Sequence, residues 1–323
     1  MAVTMSCAFN TSLDSHEHAR VAEQLGYRNV WFYDSPALYA DVWVQLCRAA
    51  ERTERVRLGP GVLVPTLRHP MASAAAISTL VSIAGQERVA VTVGAGFTGA
   101  FTLGQRPAKW TYVANYIRTL RALLRGEQTE WEGAQIRMMQ YPGFGTRRPI
   151  EIPILVGAQG PKGTAVAGDI GDGVFGAPRP IPGFDWSAVL LFGTVLDEGE
   201  DPGSERAIAA GGHGASVALH WALEFGQADR LPNGTAWAAA YDDVPANARH
   251  LALHDGHLAV VSERDRPFVT GEVMVGAGLA LSPAAMREKV AGLVEQGATE
   301  IAYQPAGPDV PRELEAFAKA VRG

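Results

Sequence analysis

The stretch VRLGPGVLVPTLRHPMASAAAISTLVSIAGQERVAVTVGAG, Val56 to Gly96, decides the fold. VRLGPGVLVP (56–65) is aliphatic and bounded by turn residues, so it reads as a strand, and ERVAVTVGAG (87–96) reads as another. Between them, HPMASAAAISTLVSIAG (69–85) reads as a helix, with Pro70 in the first turn, where a missing N–H costs nothing. A strand, a helix and a second strand imply a parallel pair joined by a crossover. Within GPGVLVPTLRHP (59–70), two glycines and three prolines interrupt the first strand near its end, just ahead of the pair Arg68–His69. That interruption needs an explanation beyond packing.

The same unit recurs in both directions. AVTMSCAFN (2–10) and NVWFYDS (29–35) read as strands, each followed by a helix, at 14–27 and 41–54. Downstream come a helix at 108–127, a hairpin near TEWEGAQIRMM, and the strand IPILVGA (152–158) with a short helix at 162–172. Strands follow at GVFGAP (173–178) and AVLLFGTVL (188–196), and helices across 204–227 and 282–297. EIAYQPAG (300–307) is the eighth strand, and 311–322 a closing helix. Eight such units predict a (β/α)8 barrel with insertions, an α/β fold in a single domain over 1–323. An open doubly wound sheet is the competitor. It would need G-x-G-x-x-G after the first strand; GAGFTG (94–99) has that spelling but follows the fourth, in a chain with 36 glycines.

Composition narrows the function. With 47% hydrophobic and 19% charged residues the chain is an ordinary globular protein, and a net charge of −6 opposes nucleic acid or an anionic membrane as partner. Cys7 and Cys47 make no metal spacing and read as reduced core thiols. The N-terminal stretch has no basic region followed by a long apolar run, and no window of about 18 apolar residues exists, so a cytoplasmic protein is expected. Region 180–270 is the least informative and reads as an insertion shaping the substrate entrance. Its His250, His254 and His257, at spacings of four and three, would share one helical face without a supporting acid. They read as a solvated or interface helix, and no metal is expected.

In a barrel the chemistry sits at the C-terminal strand ends. Those ends carry Phe9–Asn10, Tyr33–Asp34–Ser35, Val62–Leu63–Val64, Gly94 to Phe97, Gly157 to Gly160, Gly176–Ala177–Pro178, Thr194 and Gln304–Pro305. They offer no H-E-x-x-H, no serine elbow and no facing carboxylates, since Asp34 is the only acid among them. Small residues instead suit a large planar ligand approached closely by backbone, whose own atoms carry the reaction. GAQGPKG (157–163), between a strand and a helix start, is either a phosphate loop or a plain turn.

Taken together, GPGVLVPTLRHP, VGAGF, PILVGAQGPKGTAVAGDIGDGVF and LSPAAMREKVAGLVEQGATEIAYQPAGP resemble the bacterial luciferase-like superfamily. The match is closest to the branch of methylenetetrahydromethanopterin reductase and related deazaflavin-dependent enzymes. The resemblance implies a barrel that binds coenzyme F420, or alternatively FMN, at the strand ends. It places a bulge, often with a non-prolyl cis peptide, at Gly61–Val62 behind the ring, with Leu63 and Val64 beside it. Ala95 and Gly96, Gly157, Ala158, Gln159 and Gly160, and Gly176 and Ala177 would border the rest of the coenzyme. An acid common after the fourth strand is replaced by Phe97, and one near the end of the first by Ala8, which puts a pterin substrate in doubt.

The expected reaction is hydride transfer to a C=C, C=N or C=O bond of a small, largely apolar substrate held by Phe9, Phe97 and Phe101, unless these are plain core residues. Asp34 would move the proton, with Tyr33 and Asn10 as hydrogen-bond partners, unless it serves only a salt bridge. Arg68 and His69 either cap the next helix and form ion pairs or touch the ligand. The FMN alternative is a monooxygenase served by a separate flavin reductase. Family resemblance also implies a homodimer or homotetramer, with Trp43 and WVQLC offering an apolar face to a partner.

Overall fold

The computed structural model describes residues 3–323, so the start of the expected strand 2–10 lies outside the described residues. In chain order the strands are β1 (Thr4–Phe9), β2 (Asn29–Phe32), β3 (Arg57–Leu63), β4 (Val91–Gly94), β5 (Thr129–Trp131), β6 (Ala134–Ile136), β7 (Ile154–Gly157), β8 (Val174–Gly176), β9 (Ser187–Leu191), β10 (Thr194–Val195), β11 (Ala280–Leu281) and β12 (Glu300–Tyr303). Eight of them close a parallel barrel in the order β1-β2-β3-β4-β7-β8-β9-β12, and β12 returns to β1 with Cys7 opposite Tyr303. The eight-fold α/β barrel read from the sequence is the observed fold.

The helices are α1 (Ser15–Gln24), α2 (Val42–Arg52), α3 (Pro70–Ala84), α4 (Phe97–Phe101), α5 (Trp110–Arg125), α6 (Pro161–Ile170), α7 (Glu205–Gly211), α8 (His213–Glu224), α9 (Gly234–Ala239), α10 (Arg249–Leu253), α11 (Gly271–Gly276), α12 (Pro283–Glu295) and α13 (Val310–Arg322). None among the described residues is long and apolar enough to cross a membrane.

Alternation along the strands divides two cores. On β1, Cys7 and Phe9 face outward into the layer beneath the helices, while Ala8 faces the barrel interior with Trp31, Ala90, Leu155, Phe175, Ala188 and Ala302. Trp31 and Phe175 meet edge to face at 5.7 Å and fill the middle of the barrel. The bottom is closed by the buried Glu300, which accepts from Asn29 Nδ2 (2.7 Å), Trp31 Nε1 (2.7 Å), Trp186 Nε1 (2.6 Å) and the Ser6 hydroxyl. Burial raises its pKa, and these four donors partly offset the shift.

Several expectations change. The helix read over 204–227 is two, α7 and α8, broken at Gly211–Gly212, where the chain packs against Leu279 O and Val261. The seventh strand ends at Leu191; after Gly193 (φ +123°) the chain leaves the barrel as β10, which pairs with β11. Thr194 accordingly lies away from the mouth, its hydroxyl donating to Glu313 Oε2 at 2.6 Å. Helix α10 stops at Leu253, so His254 and His257 lie in the turn beyond it and are buried rather than solvated; only His250 is half-buried. Trp43 is buried in the core, because α2 turns it under the neighbouring helices, and only Val44 of that run is well exposed. Cys7 is buried, Cys47 half-buried, and both are free.

Candidate active site

A cavity opens at the C-terminal strand ends. Its floor is made by β3. The register between β3 and β4 shifts between Gly61 and Leu63, and the Gly61–Val62 peptide is cis. Gly61 and Val62 in succession therefore line the cavity, as a bulge allows, and Val64 lines it again. Leu63 turns the other way, into the outer core.

Val62 sets the rest of the wall. A Cβ on Gly157 would stand 2.6 Å from Val62 Cγ1, and one on Gly94 3.1 Å from Cγ2. A Cβ at 157 would overlap the bulge and one at 94 would press tightly on it, so both strand ends present bare backbone. Gly96 is constrained twice: its φ is +79°, and a Cβ there would lie 2.3 Å from Val64 Cγ1. Ala95, Ala158, Gln159 and Ala177 complete the small-residue side. Tyr33, Tyr39, Phe97, Phe175, Leu190 and Leu258 supply the aromatic and aliphatic part of the lining. Phe97 leans on Trp221 of α8, ring centroids 4.9 Å apart.

Asp34 is the cavity's only carboxylate. It is 3% exposed; its Oδ1 accepts from Arg68 Nη2 at 3.2 Å, and its buried Oδ2 has no partner. Burial raises its pKa, and the Arg68 charge opposes that rise without cancelling it. Arg68 also reaches Asp41 Oδ2 (2.9 Å), while Asp41 Oδ1 caps α2 through the Trp43 and Val44 amides. His69 caps α3, its Nδ1 accepting from Met71 N at 3.1 Å. Arg68 thus forms ion pairs and His69 is a cap. The Tyr33 hydroxyl donates to Gln304 Oε1 (2.8 Å), and Gln304 Nε2 donates to Leu258 O (2.7 Å), a chain that ties β12 and the 254–258 turn to the mouth.

Six expected site residues stand elsewhere. Asn10 is half-buried outside the cavity, and Phe9 packs on Phe32 in the outer core, since residue 8 and not 9 faces inward. Leu63 points away by the same alternation. Phe101 sits behind Phe97, between it and His254. Gly160 caps α6 beyond the wall, and Gly176 packs against Arg179 O. Sequence reasoning missed Tyr39, Phe175, Leu190 and Leu258; period-2 alternation marks Phe175 and Leu190 as inward, but nothing local signals Leu258, delivered from the insertion.

Similarity to known proteins fits this geometry. The 5,10-methylenetetrahydromethanopterin reductase of Archaeoglobus fulgidus is 26% identical over 94% of this chain and 93% of its own. An F420-dependent hydroxymycolic acid dehydrogenase of Mycobacterium tuberculosis is 29% identical over 57% of this chain, and the match covers 54% of that relative. Among solved structures, the coenzyme F420-dependent tetrahydromethanopterin reductase of Methanopyrus kandleri superposes with a TM-score of 0.68 at 20% identity, over 100% of this chain and 99% of that one, which is likeness of fold. Residues 12–300 match the luciferase-like monooxygenases throughout, and the chain belongs to that family.

Proposed function

We propose that this oxidoreductase binds the deazaflavin coenzyme F420 in the glycine-walled cavity and moves hydride between it and a C=C, C=N or C=O bond of a small, largely apolar substrate. One observation carries the reading: Gly157, where a Cβ would stand 2.6 Å from Val62, and Gly94, where it would stand 3.1 Å away, present bare backbone beside the bulge. A flat ring system laid on that side would meet backbone and one isopropyl group. The relatives named as F420-dependent favour this coenzyme over FMN. Bound there, the reduced coenzyme supplies the hydride.

The chain's residues supply everything else. Gly157, Ala158 and Gln159, leading into α6, would border the phosphate-bearing tail at a helix start, although the Ala158 amide itself is committed to Phe175 O at 3.0 Å. Ala95, Gly96 and Ala177 leave room for the chain between tail and ring. Asp34 gives or takes the proton, because Oδ2 is unpartnered while Arg68 holds Oδ1 in place. Tyr33 acts through Gln304 as a positioning residue, its hydroxyl being committed to that hydrogen bond. Phe97, Phe175, Leu190 and Leu258 select an apolar substrate. A charged pterin is disfavoured, since Phe97 and the interior Ala8 bring no acid to it. The insertion, through Leu258, shapes the entrance.

The test is a fluorescence titration of the purified protein with F420 and, separately, FMN. Saturable F420 binding is expected. Tight FMN binding with oxygen consumption and no response to F420 would replace this reading with a monooxygenase fed by a flavin reductase.

A further inference from the structure

Behind the cavity wall, three histidines of the insertion meet: His220 from α8, and His254 and His257 from the turn after α10. They are 3%, 4% and 5% exposed. His257 Nδ1 lies 3.0 Å from His220 Nδ1 and 3.3 Å from His254 Nδ1. A ring nitrogen carries either one proton or one lone pair, so His257 Nδ1 satisfies one neighbour and leaves the other without a partner. The outer nitrogens sharpen the conflict. His220 Nε2 stands 3.6 Å from Asp265 Oδ2, and His257 Nε2 3.3 Å from the Thr98 hydroxyl. Asp265 is itself fixed, its Oδ1 accepting from Trp237 Nε1 (2.7 Å) and the Tyr241 hydroxyl (2.6 Å). A carboxylate facing Nε2 calls for a proton there, which leaves His220 Nδ1 a bare lone pair pointing into the cluster. The Thr98 hydroxyl accommodates the same tautomer in His257. Lone pairs this close repel unless a cation stands between them.

We propose that His220, His254 and His257 bind one divalent transition-metal ion, best zinc, through their Nδ1 atoms, as a clamp that holds the insertion against the mouth of the cavity. Three imidazoles suit zinc, copper, iron or nickel and not magnesium or calcium, which need oxygen. Ligands about 2.0–2.1 Å from a tetrahedral zinc stand about 3.3 Å apart, close to the two spacings here. One ring nitrogen from each of the three histidines lies within 4.8 Å of the other two. Asp265 and Thr98 stand where partners that orient ligating histidines belong. Among the described residues no further histidine, cysteine or acid joins the group, so water takes the fourth position. The clamp reaches the wall directly: Thr98 and Leu258 line the cavity, and Tyr39, also in the wall, donates to His257 O at 2.5 Å.

The experiment uses the full chain, stripped with a chelator. Zinc chloride is titrated calorimetrically, cobalt chloride is followed by visible absorption, and Tm is recorded with and without zinc. One zinc per chain, an intense tetrahedral cobalt spectrum and a Tm that rises with free zinc are expected. His220→Gln, His254→Gln and His257→Gln should each weaken zinc by more than the roughly 10- to 100-fold that loss of a partner orienting a ligand costs, while His250→Gln, outside the cluster, changes nothing. Absent binding, a weak six-coordinate cobalt spectrum, or affinity that survives all three substitutions would overturn the proposal. Should the variants not fold, the wild-type cobalt spectrum decides alone. F420 binding is read separately, so failure of either result leaves the other standing.

Discussion

Asp34 concentrates the chemistry proposed for this barrel in one carboxyl group. Its burial and its single ion pair oppose each other, so both neighbours are testable. Asp34→Asn should lower turnover about 10²–10⁴-fold while the F420 titration changes little. Tm should not fall, because an acid whose folded pKa is raised loses stability as pH rises through that value, and the neutral amide removes that loss. Full activity in Asp34→Asn would move the proton elsewhere. Arg68→Met should raise the pKa of Asp34 further by removing the opposing charge. If Asp34 acts as the acid, the alkaline limb of the pH–rate profile then moves to higher pH; a limb that stays in place would separate the pair from the reaction.

Among the elements, the turn after β4 is matched to the bulge of β3. Gly96→Ala imposes a left-handed φ on a residue with a side chain and drives its Cβ onto Val64. A loss of about 1–3 kcal/mol in denaturant unfolding is expected. Adding Val64→Ala should recover the steric part and leave the conformational part; complete recovery would show that φ contributes nothing. Away from the mouth, α7 is pinned by Arg206, which bonds Glu200 Oε2 (2.5 Å) and Glu313 Oε1 (2.8 Å). The Arg206 hydrogen bond holds Glu200 at about 2, below its ordinary 4.5. The stability from this pair is therefore complete above about 4.5 and lost as pH falls towards 2. Glu200→Gln should cost about 1 kcal/mol at neutral pH, after allowance for solvent screening, and nothing near pH 2. An equal loss at both ends of a pH series of urea melts would contradict that.

At the scale of the molecule, we propose self-association. The face expected on α2 is not available, because Trp43 is buried. Met139, Tyr141 and Phe144 are each 79% exposed on the loop after β6, beside Met71 of α3, and offer the apolar surface instead. Light scattering at micromolar concentration should return a particle heavier than the 34.3 kDa chain, and Tyr141→Asp with Phe144→Asp should return the chain mass. A 34.3 kDa wild-type particle would refute association.

The sequence by itself determined the barrel, because alternating strands and helices of these lengths have few other ways to bury both faces of a parallel sheet. Glycine and proline inside an apolar strand also report backbone geometry locally, which marked β3 as irregular, and the family resemblance placed the irregularity at Gly61–Val62. Asp34, Val62, Val64, Ala95, Gly96, Gly157, Ala158 and Gln159 were legible as strand-end residues for the same reason, and all line the cavity. Which of two adjacent residues faces inward was not legible at the ends of β1 and β3, where one step of register moves Phe9 and Leu63 from mouth to outer core. The insertion was the least legible part. His220 lies 34 residues before His254 in the sequence, and only the fold of α8 against the 254–258 turn makes them neighbours. Contacts of that kind depend on tertiary packing, because no local periodicity encodes which distant side chains will share a buried site.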